Sequence, residues 1–111
     1  MRVIEEKIID SIKLRKDFSS QGRDVLVCNG DNFKLHLHGN KVAEKEGNML
    51  YLRDCGWTTQ TTASRINAVC KAMNVPLTYR YGQGGYFEAA DGKHDVGLVN
   101  YNLETKEAFW G

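Results

Sequence analysis

The alternation of apolar and polar positions changes period several times along the chain, and each change marks an element. Over residues 3–16, Ile4, Ile8 and Ile12 recur four apart with Ile9 beside them, which is one face of a helix. The intervening Glu and Lys residues are good helix formers, and Ser19-Ser20-Gln21-Gly22 ends the segment. From Asp24 the period drops to two. Asp24 to Cys28 is closed by Asn29-Gly30, a strong hairpin signal because a type I′ turn needs positive φ at both positions. Phe33, Leu35 and Leu37 then alternate with Lys34, His36 and His38, the pattern of a half-buried strand. Gly39-Asn40 and Glu46-Gly47-Asn48 turn the chain into Lys41 to Lys45 and then Met49 to Arg53, which completes a four-strand antiparallel meander.

The helical period returns at Ile66, Val69, Cys70 and Met73. Thr61 or Thr62 supplies the N-cap hydroxyl, and Asn74 with Pro76 stops the helix, so it is expected over about residues 62–74. Beyond it, Leu77, Tyr79 and Tyr81 alternate with Thr78 and Arg80, and Gly82-Gln-Gly-Gly85 forms a loop. Tyr86 to Ala89 is a strand closed by Asp91-Gly92, and Val96 to Tyr101 with Thr105 to Trp110 form a final hairpin around Asn102. The expected architecture is a single α+β domain over residues 1–111. Residues 1–23 form an N-terminal helical segment, 24–74 a meander with a central helix packed on the sheet, and 75–111 further strands.

Composition narrows the function classes. The 111 residues suffice for one real core, and 15 basic against 14 acidic side chains argue against wholesale coating of nucleic acid. No apolar run approaches the roughly 18 residues of a membrane span, so no membrane partner is expected. Met1-Arg-Val-Ile runs straight into Glu-Glu-Lys without a signal-peptide pattern. Cys28, Cys55 and Cys70, odd in number and irregular in spacing, suit reduced thiols in a cytosol.

The most distinctive stretch is Cys55-Gly-Trp-Thr-Thr-Gln-Thr-Thr-Ala-Ser-Arg-Ile-Asn67. Main-chain N–H groups at a helix entrance, the hydroxyls of Thr58, Thr59, Thr61 and Thr62, and the guanidinium of Arg65 together can hold a phosphate or carboxylate. The structural alternative is a capped helix with Thr58 and Thr59 continuing a strand and Arg65 paired internally. Trp57 is expected beneath the helix rather than as an exposed anchor. Tyr79, Arg80, Tyr81, Tyr86 and Phe87 alternate aromatic and basic side chains around the glycine loop. That suits a single-strand stacking platform or a protein-binding edge, and equally a hairpin with cross-strand tyrosines. His36 and His38 point the same way on a strand but lack a third ligand at a recognised spacing, so no metal is expected and turn chemistry is the better reading. No cofactor fingerprint, phosphate loop or nucleophile elbow is present, and a non-enzyme is expected.

His38-Gly39 followed by Gly56-Trp57-x-Thr59-x-Thr61-Thr62-x-x-Arg65-Ile66-Asn67 resembles small proteins of tailed bacteriophages. These are a domain-of-unknown-function family with a pattern close to LHG…GWxTxTTxxRLN. The resemblance covers roughly residues 33–70, with residues 1–23 and 76–111 outside it. It implies a phage origin and expression in the cytoplasm of a bacterial host. By analogy with small phage proteins, it implies binding and inhibition of a host or anti-phage defence protein, as an anti-CRISPR-like protein does. Nucleic-acid binding through the threonine–arginine entrance and the aromatic hairpin is the second expectation. The isoleucine stripe of the N-terminal helix either covers the sheet or contacts a second copy of the chain.

Overall fold

A computed structural model describes residues 3–111. The first isoleucine stripe builds helix α1, Val3–Leu14, with Ile8, Ile9 and Ile12 buried and Ile4 half-buried. Glu5 and Glu6 sit in its first turn and Lys13 in its last, the placement that the helix dipole favours. Its stripe is taken up in the core, which leaves Val3 and Leu14 as the exposed apolar residues of α1.

The meander is β2 to β5: Asp24–Asn29, Asn32–Leu37, Asn40–Glu46 and Met49–Arg53, following a short β1, Phe18–Ser20. Two of its turns sit one residue away from their expected places, and the third falls within the expected Glu46-Gly47-Asn48. The strand pairs Asn29↔Asn32, Leu37↔Asn40 and Glu46↔Met49 leave loops at Gly30-Asp31, His38-Gly39 and Gly47-Asn48. Only at His38-Gly39 do both loop residues have positive φ, 51° and 80°. This places His38 in the turn rather than on the strand, so it shares no strand face with His36.

Helix α2 runs Gln60–Ala72 and is followed by β6, Thr78–Arg80, β7, Tyr86–Ala89, and β8, Gly92–His94. The chain closes with β9, Leu98–Asn102, and β10, Ala108–Trp110. Among the described residues the strands form two antiparallel sheets, β1-β2-β3-β4-β5-β9-β10 and β6-β7-β8. The fold is α+β. Strand β9 returns from the far end of the chain to pair with β5, a long-range pairing that local periodicity does not reveal. β1 and β8, three residues each and rich in Ser or Gly, carry too little apolar alternation to be read as strands.

The period-two pattern sorts the large sheet into two faces. Leu26, Phe33, Leu35, Leu37, Ala43, Leu50, Leu52, Val99 and Tyr101 are buried in one core with the apolar faces of α1 and α2. On the other face lies the cross-strand row Val27, Lys34, Glu44, Tyr51, Asn100 and Phe109, with Val27, Lys34 and Phe109 exposed and Glu44, Tyr51 and Asn100 half-buried. Earlier on β4, Lys41 donates to Glu44 of that row at 2.6 Å and holds its carboxyl below the usual range. The small sheet is joined to the large one by aromatic contacts. Tyr79 meets Phe87 edge-on at 5.0 Å, Phe87 lies 5.9 Å from Trp110, and Trp110 stacks on His94 at 3.8 Å.

Candidate functional site, a pocket at the entrance of helix α2

Three segments distant in sequence meet at the start of α2. The β3–β4 hairpin contributes Leu37, His38, Asn40 and Val42. The link from β5 to α2 contributes Asp54, Trp57 and Thr59, and the first helical turn contributes Thr61 and Thr62. They enclose a pocket of about 430 Å³, within the size range of ligand sites. Both halves of the distinctive sequence pattern, Leu37-His38 and the set Trp57, Thr59, Thr61 and Thr62, therefore line one cavity.

Local turn geometry shapes it. In the segment Asp54-Cys55-Gly56-Trp57 both central residues have positive φ, 56° and 81°, and the Trp57 N–H donates to the Asp54 carbonyl at 2.9 Å. The tight turn throws Trp57 outward, so it is 59 % exposed rather than packed beneath the helix as expected. Thr59, not Thr61 or Thr62, is the N-cap. Its hydroxyl accepts from the Thr62 N–H at 3.2 Å and lies 3.1 Å from the Thr62 hydroxyl, while its carbonyl accepts from the Ala63 N–H. Thr62 is buried, Thr61 half-buried and Thr59 exposed. Thr58 stands apart from the pocket, with its methyl directed at Gly85.

Arg65 is absent from the pocket. Its guanidinium is 3 % exposed and grips the fully buried Asp24, with Nε at 2.6 Å from Oδ1 and Nη2 at 3.3 Å from Oδ2; Nη1 donates to the Ser64 hydroxyl. Arg23 reaches the same carboxylate at 3.2 Å. The anion clamp read from the sequence thus lacks its cation, because Asp24, 41 positions upstream, claims it.

The floor of the pocket holds a residue that sequence reasoning missed. Asp54, 8 % exposed, accepts from the Tyr79 hydroxyl at 2.6 Å and from the Gly56 N–H at 2.9 Å. Two glycines lie against it: a Cβ on Gly97 would fall 2.6 Å from its carboxylate oxygens, and one on Gly85 would fall 3.2 Å from Oδ2. Asn67, also within the distinctive stretch, fixes Tyr79 from the helix side. Its side-chain amide accepts from the Tyr79 N–H at 2.7 Å and donates to the Tyr79 carbonyl at 3.0 Å. The signal for Asp54 lay in its position just before Cys55-Gly56, but its partners are 25 and 43 positions downstream.

Burial, together with the hydrogen bond to Asp54, holds the Tyr79 hydroxyl protonated well above the usual tyrosine range. An unfolded chain releases this proton at a pH of about 10, whereas the native chain keeps it. The contribution of this group to stability is therefore complete below about pH 10. It is lost as pH rises, at about 1.4 kcal/mol per pH unit, towards the folded value. Tyr79→Phe is expected to remove that increment from the alkaline limb of a stability–pH curve measured by urea unfolding. Equal alkaline slopes in the two proteins contradict the assignment.

The aromatic hairpin does not present the row of rings that its sequence suggests. Tyr79 and Phe87 are buried at 1 % and 0 % exposure. Tyr86 is half-buried with the Lys93 ammonium 4.6 Å from its ring centre, and Arg80 is paired with Glu88. Tyr81 remains exposed. The thiols are not activated as nucleophiles. Burial raises Cys70 to about 12, and burial with a neighbouring carboxylate raises Cys55 beside Asp54 and Cys28 beside Asp17. Among the described residues no group of three or more His, Cys, Asp or Glu side chains is placed to hold a metal ion, and no helix is long and apolar enough to cross a membrane.

No curated protein and no solved structure matches the chain. A family model does match, over residues 1–94, which brings α1 and the small sheet inside a likeness that the motif alone confined to residues 33–70. The chain belongs to the Kyanoviridae Gp96 protein family, a family of phage proteins.

Proposed function

We propose that this phage protein acts by binding, in the cytoplasm of the infected bacterium, and that it engages a protein of the host or of its anti-phage defence and inhibits or redirects it. One observation carries the reading: an exposed tryptophan, Trp57, stands on the wall of a pocket built by both halves of the chain's most distinctive motif. Tryptophan is enriched among the residues that carry most of the binding energy at protein interfaces, and burying an exposed indole against a partner is favourable. The contact surface accordingly moves from the aromatic hairpin, whose Tyr79 and Phe87 are structural, to the entrance of α2.

The nucleic-acid reading has less support. Arg65 is neutralised inside the fold by Asp24, Arg80 is paired with Glu88, and two rings of the stacking platform are buried. Capture of partners from host lysate by the tagged chain, split into nuclease-treated and untreated halves, separates the readings. Protein recovery that survives nuclease in stoichiometric amount is expected. Recovery that vanishes with nuclease contradicts the protein-binding reading and returns the argument to a nucleic-acid surface.

A further inference from the structure

The two buried aspartates of this fold are treated differently. Asp24 is matched by two arginines, whereas Asp54, 8 % exposed, has no Lys, Arg or His within 4 Å among the described residues. A carboxylate out of water without a cation is costly, and hydrogen bonds from neutral donors offset that only in part. Each Asp54 oxygen accepts one such bond, from Tyr79 on one and from Gly56 on the other, which leaves lone pairs on both. Asp54 also lines the motif pocket.

From this juxtaposition we infer that the pocket receives a guanidinium group, presented as an arginine side chain by the protein partner. The inference deepens the binding function proposed above and rests on it. The lining suits this guest in three respects. Asp54 is the only carboxylate among the lining residues and supplies the missing charge pairing. The Thr61 hydroxyl and the amide oxygen of Asn40 add acceptors, and a guanidinium carries five N–H donors that need them. Trp57 offers an indole face, the strongest cation–π surface among side chains, while Leu37 and Val42 can cover the aliphatic stem. Two features oppose a cation, the positive end of the α2 dipole and the basic side chain of His38 in the lining. The first is partly taken up by the Thr59 cap.

The test uses the full chain and two neutral-backbone probes, N-acetyl-arginine methylamide and its citrulline counterpart, which keeps the shape and removes the charge. Binding is read from amide NMR shifts of Thr59, Thr61 and Thr62 and from the Trp57 indole N–H. The arginine probe is expected to shift these signals and to bind at least about ten-fold more tightly than the citrulline probe. Asp54→Asn, where it folds, is expected to erase the difference; the probe pair on the unmodified chain decides the matter if it does not. Agmatine, a free guanidinium without the peptide unit, separates a small-molecule ligand from a protein-borne side chain, and tighter binding of agmatine than of the arginine probe overturns the assignment to a partner's arginine. Equal binding of the arginine and citrulline probes, or no shift with either at millimolar concentration, overturns the inference. If the probes bind alike while capture of a host protein still depends on Trp57, the binding function stands and the arginine assignment alone falls.

Discussion

Arg65→Met is expected to destabilise the fold by about 3–5 kcal/mol, the cost of breaking a buried ion pair from one side. The reason lies in what remains. Asp24 is fully buried, and without Arg65 it keeps only the partly exposed Arg23 at 3.2 Å. A domain of this size has only about 5–15 kcal/mol of stability, so the variant sits close to unfolding at room temperature. Urea unfolding should show the midpoint falling with little change in slope, and the double replacement Asp24→Leu with Arg65→Met should recover much of the loss, because it removes the stranded charge as well. A loss below about 1 kcal/mol for Arg65→Met would mean that water reaches Asp24, contrary to its burial.

Gly85→Ala is the second large effect, expected at about 3 kcal/mol from two sources of comparable size. Gly85 has φ 85°, where a side chain is strained by about 1–2 kcal/mol. A Cβ there would also lie 2.7 Å from the Thr58 methyl and overlap the Tyr79 hydroxyl, and overpacking of this kind costs about 1–3 kcal/mol. The alanine is therefore expected to push Tyr79 off Asp54 and open the pocket floor as well as to destabilise the fold. Thermal unfolding measures the first consequence. Chemical-shift changes at Thr59, Thr61 and Thr62 report the second, and a variant with wild-type stability and unshifted signals would contradict the packing described.

How much of this was legible in the sequence depended on the range of the interactions involved. Helix α2 and the meander strands followed from periodicities that local burial enforces, so their existence and type were readable from Ile66, Val69 and Cys70 and from Phe33, Leu35 and Leu37. The cap was misplaced because any of several neighbouring threonines can cap, and the backbone turn before the helix selects Thr59. That same turn decides Trp57: a Cys-Gly pair with positive φ at both positions is an uncommon hairpin-like turn, and nothing local signals that it points the indole outward. Arg65 was visible as a cation, but its partner lay across the fold. Tyr79 and Phe87 were visible as a strand pattern, yet period two does not say which face meets the core. Asp54 carries no local signal because its neighbours come from afar: Tyr79 and Gly85 arrive with the small sheet, and Gly97 arrives where β9 pairs with β5.

The central claim is that the entrance of α2 is the surface through which this phage protein binds. It is tested most directly by capturing host proteins in parallel with the wild-type chain, Trp57→Ala and Tyr81→Ala, after each variant's fold is verified by circular dichroism and urea unfolding. Trp57 is exposed, so its removal should leave stability nearly unchanged while weakening the partner by about 2 kcal/mol or more, roughly thirty-fold. Recovery lost with Trp57→Ala and kept with Tyr81→Ala is the predicted result. Recovery that is unaffected by Trp57→Ala, or abolished by Tyr81→Ala alone, would place the binding surface on the aromatic hairpin or elsewhere and contradict the account.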